Sequence, residues 1–290
     1  MIEITMAPPP DKDVFIVFDY LEHDLTGLMR SVDGSNMLKG DKTGLIIKGI
    51  MYQLLLGLEY LHEEAGVIHR DMKGSNILID KYGRVKLADF GLARSVFGSS
   101  YDGNIVKSSK VLPIMTNRVI TLWYRPPEVL LGADNYGPEV DIWGLGCIFA
   151  ELFLGKAAFS GSDEISQLEA IVIGLSSEQV NSEEPFEALS NLPWYKLIPQ
   201  SLKSDYHPQS TTINLRNRLK ETSIKSDAME LLFSMLKFDT EERITCKEAL
   251  KSNYFAECAR TEFQRAFRRA FETSNFFNCE FKSSEPKKSQ

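Results

Sequence analysis

Residues 69–76 read His-Arg-Asp-Met-Lys-Gly-Ser-Asn, and Asp89-Phe90-Gly91 follows thirteen positions after Asn76. Two acids and an amide on neighbouring loops supply the oxygen ligands with which hard cations such as Mg²⁺ are held on a nucleotide. Lys73, between them, can meet a phosphate as a point charge. Either phrase alone is a weak signal, because a lone Asp-Phe-Gly is more often an ordinary turn. Together they predict a site for a metal-bound nucleotide.

The surrounding sequence predicts that these residues lie on loops between regular elements. Apolar residues recur every three or four positions from Ile46 to Leu61, which predicts an amphipathic helix with Gly66 as its stop signal. Short extended segments are predicted at 76–79 and 85–87, with a turn between them. The residues from His69 onwards are therefore expected to connect a helix to a strand.

Towards the N-terminus, the β-branched and aromatic run Val14–Phe18 predicts a buried strand, and Ile2–Thr5 predicts a partner strand for it. Towards the C-terminus, helical patterns dominate. Residues 140–154 are apolar nearly all round, which predicts a helix buried on every side, and residues 227–236 predict an amphipathic helix. Farther along, Thr-Cys-Lys-Glu at 245–248 predicts a capping box.

The composition argues against several classes of function. The formal net charge is −7 and the pI is about 5.3, which gives no support for direct binding of nucleic acid through a basic surface. The apolar stretch 142–154 is too short to cross a bilayer, which takes about 20 residues. The first ten residues lack the basic start and apolar run of a signal peptide. The four cysteines form no close pair, which predicts incidental or buried thiols.

Three further phrases follow the first two in order: Thr-Leu-Trp-Tyr-Arg-Pro-Pro-Glu at 121–128, Asp-Ile-Trp-Gly-Leu-Gly-Cys-Ile-Phe-Ala-Glu at 141–151, and Arg243. In this series the chain resembles the eukaryotic protein kinases, from about Ile2 to Phe255. The resemblance implies an α+β protein-kinase-like fold with a mostly α-helical large lobe. It also implies ATP and Mg²⁺ as cofactors.

The resemblance assigns a role to each residue of the two loops. Asp71 would accept or orient the proton of the substrate hydroxyl, and Lys73 would steady the γ-phosphate. Asn76 and Asp89 would ligate Mg²⁺. Thr121 would hydrogen-bond between Asp71 and Lys73. The alternative is that each is an ordinary polar residue of the surface.

Two further assignments are structural. His69 is expected to be a packed histidine rather than a general base. Glu128 and Arg243 resemble the buried ion pair of the family.

Within the protein kinases, residues 116–125 resemble the cyclin-dependent kinases, in which the equivalent of Thr116 is phosphorylated. A phosphate there would pair with Arg70 and Arg94 and order the loop. This modification implies an activating kinase as a partner, and the alternative is that Thr116 is never modified. Val119, Ile120 and Arg125 match the pocket that selects proline after the acceptor Ser or Thr.

The phrase Phe-Asp-Tyr-Leu-Glu-His-Asp-Leu at 18–25 is similar to the hinge of the transcriptional branch. Members of that branch pair with a cyclin and phosphorylate the C-terminal repeats of RNA polymerase II, which implies a nuclear protein, with the cytoplasm left open. The resemblance also implies a set of nucleotide contacts. Phe18 would guard the adenine pocket and Leu78 would form its floor, although both could simply be core residues. The backbone of Asp19 and Leu21 would bond the base, and Asp24 would reach the ribose.

The 17 residues before Phe18 contain neither a glycine-rich loop nor a lysine in a strand-like context. We therefore expect a truncated kinase whose cyclin-docking surface is largely missing, and whose own activity is in doubt. The alternative is a non-catalytic large lobe that serves as a binding or regulatory module. The expected segments are a small-lobe remnant at 1–18, a hinge at 19–25, a large lobe at 26–257 with its activation segment at 89–128, a C-terminal helical extension at 258–282 and a disordered tail at 283–290.

Overall fold

The computed structural model describes residues 3–6, 13–40, 44–96, 98–99, 105–106, 120–175, 189–198, 214–256, 265–266 and 268–269. The fold class of this part is α+β, as the sequence predicts, and its core lies among the helices. The helices are α1 (Leu25–Arg30), α2 (Val32–Gly40), α3 (Leu45–Glu59), α4 (Pro127–Leu130), α5 (Glu139–Leu154), α6 (Glu164–Leu175), α7 (Leu215–Lys220), α8 (Ser226–Met235), α9 (Cys246–Ala249) and α10 (Asn253–Ala256).

Helix α5 lies at the centre of the helical body because its sequence is apolar nearly all round. Trp143, Phe149 and most of their neighbours along the helix are fully buried. Helices α3, α7 and α8 pack around it. The buried helix that the sequence predicts at 140–154 is confirmed, and α8 confirms the helix predicted at 227–236.

The ends of the helices also follow the sequence. Helix α3 continues through a π-helical turn, Tyr60–Glu64, and the chain then turns at Gly66, whose φ is 60°. Before α9, the hydroxyl of Thr245 accepts from the backbone N–H of Glu248 at 3.3 Å, and the Glu248 carboxylate accepts from the N–H of Thr245 at 3.0 Å. The predicted capping box is therefore confirmed.

The strands are short and form four small antiparallel sheets. The largest has the order β3 (His23–Asp24), β5 (Ile77–Ile79) and β6 (Val85–Leu87). The others pair β1 (Glu3–Met6) with β2 (Val14–Val17), β4 (Val67–Ile68) with β7 (Arg94–Ser95), and β8 (Gly98–Ser99) with β9 (Ile105–Val106). Between β5 and β6, the Asp80 carboxylate accepts from the N–H groups of Tyr82 and Arg84, both at 2.9 Å, which closes the predicted turn.

Strand β2 corrects one prediction. The sequence predicts a buried strand at 14–18, and the strand exists and pairs with β1, but Val14, Phe15 and Ile16 are 58%, 53% and 52% exposed. All residues of both strands are exposed, so neither face of this ribbon is covered by the described residues. Burial requires a second layer, and a strand-like sequence does not by itself supply one.

The remaining expectations concern membranes, cysteines and the C-terminal segment. Across the described ranges, no helix is both long enough and apolar enough to pass through a bilayer. Cys147 and Cys246 are buried, free thiols. Of the extension expected at 258–282, the four described residues are helical, and the guanidinium of Arg268 lies 5.8 Å from the ring centre of Tyr82. The tail expected at 283–290 lies outside the described residues.

Candidate active site

The loop 69–76 is fixed in place by the first turn of α5. The Asp141 carboxylate, which is 1% exposed, accepts from the backbone N–H groups of His69 and Arg70, both at 2.8 Å. His62 contacts the same carboxylate at 2.8 Å. Arg70 adopts a left-handed backbone, with φ of 66°, that a non-glycine residue rarely adopts. The two backbone hydrogen bonds to Asp141 hold the chain in this shape.

Asp71 is the centre of a hydrogen-bonded cluster at the tip of this loop. Lys73 Nζ lies 2.6 Å from Asp71 Oδ2 and donates to Thr121 Oγ1 at 3.3 Å. The Thr121 hydroxyl donates to Asp71 Oδ1 at 2.9 Å. The Asn76 amide donates to Asp71 Oδ2 at 3.0 Å and to the Asp71 carbonyl at 2.9 Å. The structure thus brings together four predicted site residues, one of which comes from a distant part of the chain.

The cluster keeps Asp71 ionised. Burial alone would raise the pKa of the Asp71 carboxyl, but the hydrogen bonds from Lys73, Thr121 and Asn76 outweigh it and lower the pKa below its ordinary value of 3.8. Asp71 is therefore a carboxylate at neutral pH. Because its folded-state pKa is lowered, the cluster stabilises the fold at neutral pH, and this contribution is lost as the pH falls below 3.8.

Removing the Lys73 ammonium should raise the pKa of Asp71. In Lys73→Met the burial of Asp71 remains, while the largest opposing contribution, the hydrogen bond from Lys73, is lost. We expect the Asp71 carboxyl of the variant to become protonated at a higher pH than in the wild type. An NMR titration of the side-chain carboxyl carbon measures both midpoints, with the exposed Lys220→Met as the matched control. Equal midpoints in Lys73→Met and wild type would contradict this account of the cluster.

Asp89 lies beside the cluster on the next loop. The N–H of Ala88 donates to the carbonyl of Asn76 at 2.9 Å, and His69 contacts the Ala88 carbonyl at 3.0 Å. The His69 ring, which is fully buried, also packs on Phe90 with ring centres 4.9 Å apart. The expectation of a packed histidine is thus met, and this packing holds the two loops together.

The oxygens of Asn76 and Asp89 fit a hard cation. Since Asn76 uses its amide nitrogen on Asp71, its side-chain oxygen has no hydrogen-bond partner among the described residues. The exposed Asp89 carboxylate accepts only from the N–H of Gly91, at 3.3 Å. Within the described ranges, no three His, Cys, Asp or Glu side chains cluster to hold a metal. The donor set therefore fits Mg²⁺ that arrives with phosphate oxygens rather than an ion held by protein alone.

The residues expected around the nucleotide base are only partly gathered. Asp24 pairs with Leu78 across β3 and β5, and its carboxylate caps α1 by accepting from the N–H of Gly27 at 2.8 Å. The Asp19 carboxylate forms an exposed ion pair with Lys86 on β6. Leu78 is half-buried, whereas Phe18 is 63% exposed, so the reading of Phe18 as a core residue is wrong. Leu21 is half-buried in the irregular segment before β3.

Arg70 and Arg94 come close because β4 pairs with β7. Ile68, two residues before Arg70, lies opposite Arg94 in the register. The buried Arg70 side chain donates to the Leu92 carbonyl at 2.7 Å and to the Tyr136 hydroxyl at 3.1 Å, while Arg94 is exposed. Thr116, which these arginines are expected to meet when it is phosphorylated, lies outside the described residues, as does Val119.

Ile120 and Arg125 form a compact unit after this segment. Ile120 has a φ of 68°, a strained value for a β-branched residue. Its carbonyl accepts from Nε and Nη2 of Arg125 at 3.3 and 3.0 Å. The same guanidinium reaches Glu164 at 3.3 Å. The backbone carbonyl of Ile120 is thereby turned towards Arg125.

Glu128 and Arg243 form a buried ion pair with two parallel hydrogen bonds, at 2.8 and 3.0 Å. Each residue is 4% exposed. The guanidinium also donates to the Glu139 carbonyl at 3.0 Å and lies 5.2 Å from the ring centre of Trp143. This pair ties the segment after Ile120 to the start of α5.

Sequence reasoning missed Asp141 and His62 as part of the site. Asp141 opens the phrase that supported the resemblance, so its position was visible, but nothing in a linear pattern shows that its carboxylate receives two backbone N–H groups from position 69 onwards. His62 carried no signal beyond lying at the end of a helical pattern.

Comparisons with known proteins agree with this geometry. A family model described as "Protein kinase domain" matches residues 1–255. The chain is 41% identical over 276 residues to cyclin-dependent kinase C-2 of Oryza sativa, covering 87% of this chain and 46% of the relative. It is 41% identical over 251 residues to CTD kinase subunit alpha of Saccharomyces cerevisiae, covering 85% of this chain and 41% of that protein. The chain thus spans just under half the length of these relatives.

One solved structure gives the same picture. A chain in the crystal structure of the yeast RNA Pol II CTD kinase CTDK-1 complex superposes with a TM-score of 0.67 at 39% sequence identity. The match covers 89% of this chain and 75% of the yeast chain.

Proposed function

The chain belongs to the protein kinase family, and from that premise we propose that it is a proline-directed Ser/Thr kinase of the cyclin-dependent type, using ATP and Mg²⁺. The observation that carries the proposal is the cluster of Lys73, Thr121 and Asn76 around an ionised Asp71, with Asp89 beside it. These are the acid, cation and oxygen ligands that phosphoryl transfer to a hydroxyl requires.

The chain's own residues position the reactants. Asp71, ionised and held by its neighbours, orients the acceptor hydroxyl and takes up its proton. Lys73 has three N–H donors and uses two of them on Asp71 and Thr121, so the third can meet a phosphoryl oxygen. Asn76 and Asp89 would hold Mg²⁺, which supplies charge neutralisation on the phosphate oxygens when it is bound.

The Ile120–Arg125 unit explains a preference for proline. Because Arg125 already occupies the Ile120 carbonyl, that oxygen is not free to accept from the backbone N–H of the residue after the acceptor. An ordinary residue there would lose a hydrogen bond on binding, whereas proline has no N–H to leave unpaired. Val119 completes the proposed pocket.

Replacing Arg125 with Ala should reduce this preference. The freed Ile120 carbonyl can then accept from a substrate N–H, so a Ser-Ala peptide should gain relative to a Ser-Pro peptide. We expect the ratio of kcat/KM between the two peptides to fall about tenfold. Glu164→Gln is the matched control, since Glu164 contacts the same guanidinium but not the carbonyl. A ratio unchanged in Arg125→Ala would rule out this basis for selectivity.

The substrate and partners are proposed from the relatives. The names of two similar proteins refer to the RNA polymerase II C-terminal domain and one to a cyclin, which supports polymerase repeats as substrate, a cyclin as partner and the nucleus as location. Thr116 is the proposed site of an activating kinase, with Arg70 and Arg94 to receive the phosphate. Phe18, Asp19, Leu21, Asp24 and Leu78 are the proposed nucleotide contacts, along the hinge at 19–25 and the large lobe at 26–257.

A direct assay tests the proposal. The full chain is incubated with ATP, Mg²⁺ and a peptide containing one Ser-Pro, and phosphopeptide is counted by mass spectrometry against the same peptide with Ala-Pro. Phosphorylation at the serine supports the kinase. Binding of the peptide without any transfer would favour the alternative, a module that binds or regulates without catalysis.

A further inference from the structure

A cleft of 690 Å³ opens beside the proposed site, between α1, the end of α5 and α7. It borders the catalytic cluster at two points. Thr26, in its wall, lies so close to Gly74 that a Cβ on that glycine would come within 2.6 Å of the Thr26 hydroxyl. Trp123, also in the wall, comes two residues after Thr121. A peptide whose acceptor serine lies at Asp71 can therefore extend into this cleft.

The cleft is positively charged on a chain whose net charge is −7. Three cations line it, Arg30, Lys156 and Arg218, against one carboxylate, Glu151. That carboxylate already accepts from the Tyr124 hydroxyl at 2.8 Å. None of the three cations forms an ion pair with another described residue.

Arg218 is held rigidly in the wall. Its guanidinium donates to the carbonyls of Ala158 and Ala157 at 2.6 and 3.1 Å, just beyond the end of α5. An arginine has five N–H donors, so further donors are left for a ligand. Because the side chain is already ordered, little conformational entropy is lost when it binds one.

Helix ends account for part of this arrangement but not for all of it. Arg30 and Arg218 lie in the last turns of α1 and α7, and Lys156 follows the last turn of α5, where the partial negative charge of a helix favours cations. That effect explains each cation separately. It does not explain why three such ends converge on one cleft next to the acceptor site with a single carboxylate between them.

We propose that this cleft binds an anionic side chain of the protein substrate, either a phosphoserine or a carboxylate, while the acceptor hydroxyl lies at Asp71. The inference rests on the proposed kinase function and extends it to a second specificity site. A phosphate carries close to two negative charges and three acceptor oxygens, so it matches three cations better than a carboxylate does. The chain should therefore prefer substrates that already carry a phosphate near the next Ser-Pro.

A position scan tests the inference. A Ser-Pro peptide is made with phosphoserine, Asp or Ala at each position within six residues of the acceptor, on either side. Binding to the full chain is measured by fluorescence anisotropy without ATP, and kcat/KM is measured with it. We expect phosphoserine to tighten binding about tenfold at one position, and Asp about two- to fivefold, with both effects weakened by salt.

Variants assign the effect to the cleft. In Arg30→Gln/Lys156→Gln, the ratio between phosphorylated and Ala-containing peptides should fall towards one. Lys220→Gln, an exposed lysine on α7 that does not line the cleft, should leave the ratio unchanged. No preferred position in the scan, or a preference that persists in the double variant, would overturn the inference. Since the anisotropy measurement needs no phosphotransfer, it decides the matter even if the chain transfers no phosphate.

Discussion

Asp71→Asn should lower kcat for phosphorylation of a Ser-Pro peptide by about 10²- to 10⁴-fold, the range for loss of a positioned acid–base group. The amide cannot take up the proton of the acceptor hydroxyl. It also places a neutral group where Lys73 now meets a carboxylate at 2.6 Å, so the lysine loses its anchor. Peptide binding should change little, because the peptide's other contacts remain.

The control for this variant must separate chemistry from folding. Asp134→Asn makes the same change at an exposed aspartate outside the cluster and should leave kcat within about twofold of the wild type, as surface changes usually do. The thermal midpoint of Asp71→Asn and its affinity for the peptide show whether the variant is folded. Activity of a folded Asp71→Asn within tenfold of the wild type would contradict the assigned role.

The local chemistry of the site could be predicted from the sequence because its residues lie close together in it. Asp71, Lys73 and Asn76 fall within one loop, so the short spacing alone places them near one another. Helices such as α5 were also readable, since an all-apolar pattern permits only a buried helix. The burial of β2 was not readable, because it depends on what covers the strand and not on the strand itself.

Backbone conformation is the other feature that the sequence did not reveal. Arg70, Asp89 and Ile120 all have positive φ, at 66°, 59° and 68°, although none is a glycine. Local propensity would put glycine at such positions, and each costs about 1–3 kcal/mol. All three lie at the site: one begins the loop, one presents a carboxylate and one turns a carbonyl towards Arg125. Distant contacts, such as those of Asp141, hold the strain and give each residue its direction.

Replacing Arg243 with Ala should destabilise the fold by about 3–5 kcal/mol, the usual cost of leaving a buried charge without its partner. Glu128, 4% exposed, loses two hydrogen bonds of 2.8 and 3.0 Å, and two backbone carbonyls, those of Lys237 and Glu139, lose a donor as well. We expect the thermal midpoint to fall by roughly 6 °C or more, measured by differential scanning calorimetry.

Two further variants separate the unpaired charge from the lost packing. Glu128→Leu/Arg243→Met removes both charges and keeps apolar volume, so it should recover part of the stability lost in Arg243→Ala. Glu242→Gln breaks an exposed contact of 3.9 Å with Lys237 and should change the stability by less than about 1 kcal/mol. If Arg243→Ala is no more harmful than Glu242→Gln, then the segment after Ile120 is not held to α5 by this pair. The position of Thr121 against Asp71 would then have to depend on the hydrogen bonds of the cluster alone.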